Sequence, residues 1–390
     1  MELNFKKTLT ILFSTIILSA VAAESSFAGF AGVSLDLQPA DNTLEVYAKG
    51  VVAGQYALND TLSFRGNFQF GTGDIVSNGL FRETPSTFSI NELSGTYSFY
   101  TEGRIRRISA LLGDQNSFGS DTFVKQTLGV HTFESSLLTP AIAPVSANMH
   151  LFSGVGFSYV DDFGPNALSI NAFYDTSDDG EKTPQLNGAF RYAFLAGDSI
   201  FDTDFGLTLP VENKTESGEE VFILIKSIIL HGGLSTVINI TDRMNLFLQA
   251  GVSDINIQNI EAPGLDNLHL FIEPRIALSS FNLNVSFFNI SDAALRNLQT
   301  VSHPLGCNLN IETLPFLMLS HTATAGLDVT ASSQRTVDIS NPETIDVVIT
   351  PHLDYSMFSG NLKTSVLIHP LEYMDMAKFF KLSLSFKAQF

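Results

Sequence analysis

The groups in this chain with reactive chemistry to offer are eight histidines, one cysteine and a surplus of carboxylates. The histidines are His131, His150, His231, His269, His303, His321, His352 and His369, and all stand singly. Side-chain hydrolysis needs a nucleophile or a carboxylate pair with a positioned imidazole. Ser302–His303 and Ser320–His321 come nearest to that by sequence. In an extended chain, however, adjacent residues point to opposite faces, so hydroxyl and imidazole are separated. No paired His or Cys stands at metal-ligand spacing. The acidic groups Asp178, Asp179, Glu181 and Glu212, Glu216, Glu219, Glu220 offer oxygen ligands for a loosely held Ca²⁺, but read first as solvated loop charge. Cys307, the only cysteine, excludes an internal disulfide framework and reads as a buried or wall-facing thiol. These patterns argue against an enzyme, and no catalytic, cofactor or metal site is assigned.

A second set of charges has a different use. Lys49, Arg65, Arg191 and Arg275 fall on the polar face of alternating segments, and the long connection 114–149 carries Asp121 and Glu134. If those segments wall a water-filled passage, an acidic loop opposite basic wall residues sets a transverse field across a constriction. Gly119 and Gly129 give this connection flexible corners, and Pro140 and Pro144 stiffen an apolar stretch.

The elements that must position these charges read as strands with one oily and one wet face. At the C-terminus, Phe380, Leu382, Leu384, Phe386, Ala388 and Phe390 alternate with Lys381, Ser383, Ser385, Lys387 and Gln389. The same period of two runs through 62–71, 245–253, 269–278 and 281–290, each about ten residues, the length of a tilted strand crossing a bilayer. Strands buried on both faces would be apolar at nearly every position. Connections alternate too. Tight turns at 59–60, 161–166, 196–199, 241–244, 279–280 and 355–358 alternate with long polar links at 72–85, 114–149, 175–184, 211–220, 254–268, 291–306, 331–343 and 370–378. A transmembrane barrel has short turns at one rim and long loops at the other. The expected fold is an all-β transmembrane antiparallel barrel of sixteen to eighteen strands, with both termini at the short-turn rim. Segments 29–37 and 307–331 are ambiguous, and Pro315–Met318 reads as an unusually apolar turn.

Lys6 and Lys7 precede an apolar run over 9–21 and the small residues Ala20, Ala22 and Ala23, the pattern of a cleaved signal peptide. Residues 1–23 are read as that peptide and 24–390 as one barrel domain. Only 16% of residues are charged, yet no later segment is long and apolar enough for a membrane helix. Net charge is −19, and −20 without Glu2, Lys6 and Lys7. Nucleic acid is thereby disfavoured, since phosphate binding needs basic clusters.

The terminal aromatic with alternating apolar residues before it resembles the C-terminal signature of bacterial outer-membrane β-barrels. The whole plan resembles that of porins, although no motif of one porin family is present. That resemblance implies an outer-membrane location and passive diffusion of small hydrophilic solutes or ions. It also implies an inward-folding third loop, and an assembly signal in Leu382, Leu384, Phe386 and Phe390 read by the barrel-assembly machinery. Outer-membrane lipid is the other expected partner, and a homo-oligomer is compatible with the plan. A surface adhesin and a transporter of hydrophobic substrates are the alternatives. The Asn-Pro-Ala hatch motif of fatty-acid channels and a plug domain are both missing.

Overall fold

In the computed structural model, residues 26–40, 43–78, 86–118, 121–130, 135–139, 142, 150–175, 184–214, 220–258, 264–291, 295, 301–336 and 344–390 are described. The alternating segments form one antiparallel sheet that closes on itself. Its strands are β1 (Ser26–Ala40), β2 (Thr43–Ala57), β3 (Leu62–Thr72), β4 (Ser86–Thr101), β5 (Arg104–Phe118), β6 (His150–Asp162) and β7 (Asn166–Asp175). There follow β8 (Gln185–Ala196), β9 (Ser199–Lys214), β10 (Glu220–Ile225), β11 (Ile229–Thr241), β12 (Met244–Asn256), β13 (Leu268–Ala277) and β14 (Phe281–Asn289). The last are β15 (Leu305–Thr313), β16 (Phe316–Met318), β17 (His321–Ser333), β18 (Ile345–Met357), β19 (Gly360–Ile368) and β20 (Phe380–Gln389).

Two staves of the wall are interrupted. β10 and β11 both pair with β9, through Ile225↔Val211 and Ile229↔Thr208, and together make one stave. β15 and β16 both pair with β17, through Glu312↔Gly326 and Phe316↔Ala323, with Pro315 breaking the ladder because it has no N–H to give. The wall therefore has eighteen staves, the upper end of the expected range. Segment 316–318, expected as a turn, is strand, and the chain reverses at Leu319–Ser320 instead. Both of those residues have positive φ (49° and 69°), the backbone of a type I′ hairpin turn.

Closure joins the first strand to the last. β1 and β20 pair from Phe30↔Gln389 to Leu37↔Leu382, and the backbones of Gly29 and Phe390 exchange two hydrogen bonds of 3.0 Å each. The Phe390 ring stacks on Phe27 at 5.1 Å and lies where a side chain at position 29 would stand. Neither the first nor the last strand is therefore left as a free edge to recruit another chain. Connections at the rim where β1 begins and β20 ends are short, such as 102–103, 197–198 and 358–359, and those at the other rim are mostly long.

Burial runs opposite to that of a water-soluble protein. Phe88 and Phe157 are 70% and 65% exposed on the outer face, while Glu273 and Gln249 are 1% and 0% exposed inside. Ordinary folding hides apolar surface from water, so this pattern is stable only with hydrocarbon outside and polar partners within. Among the described residues no helix is long and apolar enough to cross a membrane; the strands do the crossing.

Candidate functional site

One arc of the inner wall breaks the polar rule. Ala193, Ile200, Val237, Phe247, Phe271 and Phe288 face inward from β8 to β14 and are buried. Apolar side chains in a wet lumen need a cover, and the connection between β5 and β6 supplies it. Its helix α1 (Thr122–Leu128) ends at Gly129, whose φ of 69° makes it the left-handed C-cap. Phe123 and Val124 of this helix, with Leu137 and Leu138 beyond it, pack onto the apolar arc. The longest connection thus folds into the barrel.

Polar contacts pin it at separated points. Phe123 lies under the Arg191 guanidinium of β8, 4.9 Å from ring centroid to Cζ. The Gln126 amide, with its oxygen turned toward β3, accepts from Arg65 Nη2 at 3.1 Å and from Nη1. Ser135 Oγ donates to Glu273 Oε2 on β13 at 2.6 Å. Ile142 lies over Gly32 of β1, 3.2 Å from where a Cβ would stand. In chain order β3 is the third stave and β13 the twelfth, nine apart in a ring of eighteen, so the segment spans the lumen.

The charges expected to act together are distributed as follows. Arg191, Arg65, Arg275 and Lys49 all stand on the inner face, but three are paired within the wall. Arg191 is gripped by Asp202 of β9, Nε to Oδ1 at 2.9 Å and to Oδ2 at 3.0 Å, with a further bond from Nη2. Arg275 Nε donates to Glu273 Oε1 at 2.7 Å and its guanidinium covers Phe247 at 4.7 Å. Arg65 faces Glu92 of β4 at 3.8 Å. Lys49 stands between Ser34 and Gly71, and among the described residues no carboxylate lies within ion-pair distance of it. Asp121, just before α1, is buried and within electrostatic reach of Arg191. Glu134 lies outside the described residues. The expected rows of opposite charge across open water are therefore replaced, for three of the four bases, by close pairs with wall carboxylates. Asp202, Glu273 and Glu92 were not singled out from the sequence, although period-two parity places Asp202 with Ile200 and Asp204 on the inner face.

At the long-loop rim, Ser302 Oγ donates to Asp346 Oδ2, and His369 Nδ1 lies 3.1 Å from the same oxygen. The carboxylate sits between hydroxyl and imidazole, whereas nucleophile activation needs the imidazole in the middle. The three residues staple the mouth. In the connection after β3, Asp74 accepts from the amides of Val46, Val76 and Ser77. The Ser77 hydroxyl, then the Val46 amide, hold its carboxyl down at about 2.

No family model matches the chain, and no curated protein matches it. Among solved structures it is similar to OccK5 (OpdH) of Pseudomonas aeruginosa, at TM-score 0.53 and 10% identity over 94% of this chain and 98% of that one. The fold is porin-like. A mutant of the Rh. blastica porin aligns over 94% of this chain and 100% of that one, at TM-score 0.45 and 10% identity. OmpF of Salmonella typhi, in complex with daunomycin, aligns over 94% and 97%, at 0.42 and 8%. In this porin-like barrel the inward segment and the inner wall facing it are the candidate site.

Proposed function

We propose that this chain is an outer-membrane channel for passive diffusion of small hydrophilic solutes or ions, narrowed by segment 121–142. The observation that carries this reading is the inverted burial: an apolar exterior surrounds a lumen lined with Ser, Asn, Thr and Asp. Eighteen staves leave room for an aqueous passage beside the inward segment. Arg65, Arg191 and Arg275 act by fastening that segment and its wall, while Lys49 and the wall carboxylates bias the ions that pass. Asp121 and Glu134 contribute acidic charge to the segment. Phe390, with Leu382, Leu384 and Phe386, marks the strand that the assembly machinery reads, in an outer membrane reached by way of residues 1–23 as signal peptide. The surrounding partner is membrane lipid, and copies of the barrel can associate through their outer walls.

A second reading has its own support. The core formed by Phe123, Val124, Leu137 and Leu138 against the wall is apolar and buried, so the same segment could act as a stopper in a resting state. Swelling of lipid vesicles containing the refolded protein, in neutral sugars of graded size, tests the proposal. Swelling that falls with solute size supports diffusion through a constriction. Vesicles that do not swell in any sugar, with the barrel folded, favour the stopper.

A further inference from the structure

A group of ligating side chains lies apart from the inward segment, on the inner face of β15, β17 and β18. Glu312, His352 and Asp354 each bring one ligand atom within 4.8 Å of the others. Register explains the convergence. Glu312 pairs with Gly326, and Gly326 pairs with His352, so Glu312 and His352 stand in one row across adjacent staves, with Asp354 two residues further along β18 on the same face. Gly326 leaves a gap in that row, and the imidazole fills it: a Cβ there would stand 2.3 Å from His352 Nε2. The ring thus leans from β18 toward Glu312.

The other ring nitrogen supplies an independent observation. His352 is 8% exposed, and its Nδ1 faces the Asp328 carboxylate at 3.2 Å without a hydrogen bond between them. Asp328 is itself held by the Asn310 amide at 2.8 Å. Metal-ligating histidines commonly donate their second ring N–H to a carboxylate, and Asp328 stands where a small turn of the ring on metal binding makes that bond and frees Nε2 as the lone pair. Thr324 Oγ1 donates to Glu312 at 3.2 Å, and Lys363 Nζ stands 3.7 Å from Asp354. The lysine offsets part of the negative charge and must swing aside when a cation binds.

We propose that Glu312, His352 and Asp354 form a binding site for a divalent transition-metal ion on the channel wall, with Asp328 as its positioning residue. One imidazole with two carboxylates suits zinc or its neighbours in the first transition row better than calcium or magnesium, which prefer all-oxygen shells. The site is independent of whether solutes pass, so its test reads binding and not current.

Zinc titration of the refolded full-length barrel in detergent, followed by calorimetry, should give one ion per chain. His352→Gln should weaken binding at least tenfold. Asp328→Asn, which leaves all three ligands in place, should weaken it about 10–100-fold. Gly326→Ala should abolish the site by displacing the imidazole, with heat-modifiable mobility on gels showing that each variant still folds. Absence of stoichiometric zinc binding, or equal affinity in wild type and His352→Gln, would overturn the proposal.

Discussion

Arg191→Met is the substitution whose cost the structure defines most closely. The Arg191 guanidinium is almost fully enclosed, and Asp202, to which it makes a forked bond, is 0% exposed. Removing the arginine leaves a buried carboxylate without its counter-charge, which costs about 3–5 kcal/mol. Loss of the contact over Phe123 adds up to about 2 kcal/mol where the pair is desolvated. With a urea slope of about 2 kcal/mol/M, the unfolding midpoint from lipid vesicles should fall by about 2 M. The double variant Arg191→Met with Asp202→Leu should recover most of that loss, because an apolar pair of similar volume has no charge to strand. Asp204, which is buried and also lies within electrostatic reach of Arg191, keeps the recovery incomplete. Midpoints read by tryptophan-free probes such as far-UV circular dichroism suit a chain with no Trp. A single variant within about 1 kcal/mol of wild type, or a double variant no better than the single, would refute the reasoning.

Three further outcomes follow from the same geometry. Ser135→Ala removes one bond to a charged acceptor, about 1.5–3 kcal/mol, while Leu137 and Leu138 each contribute a comparable amount by burial; hydrogen exchange should therefore show segment 135–139 loosened but still docked, and full release only when Leu138→Asp is added. Leu384→Arg puts a charge on the outer face of β20 at a cost of roughly 2–4 kcal/mol near the membrane midplane, so folded yield in vesicles should drop, as it should on deleting Phe390, and wild-type yields would count against the outward assignment. Cys307 pairs with Phe287, which is 54% exposed on the outer face; it should resist a water-soluble maleimide in vesicles, whereas a Lys49→Cys variant on a Cys307→Ser background should react.

Much of the wall was readable from period two alone. The alternation at 380–390 became β20 with its lysines and serines inward, and the long links after β5 and β14 leave from the long-loop rim as expected. Two hairpins at the short-turn rim escaped because their turns lack the usual residues. Glu102–Gly103 and Leu319–Ser320 adopt positive φ with only one glycine among the four positions, so no Asn-Gly or Asp-Gly signal marks them. The interrupted stave at Pro315 compounded the second, since a proline beside apolar residues looks like a turn until its neighbours are known. The lumen was legible as a face but not as a set of contacts. Parity puts Arg191 and Asp202 on the same inner face, yet their pairing depends on the register of β8 against β9. Glu312 and His352 lie forty positions apart in the chain and meet only because β17 places a glycine between them. The direction of the long connection depends on its fit to the apolar arc of Phe247, Phe271 and Phe288, which sequence shows only as departures from alternation.

Planar-bilayer conductance of wild type beside a variant lacking residues 121–142 tests the central claim most directly. A passage narrowed by an inward segment predicts stepwise openings in wild type and clearly larger ones in the deletion, both with folded barrels. Equal conductance in the two proteins, or a folded deletion variant that never conducts, would contradict the account.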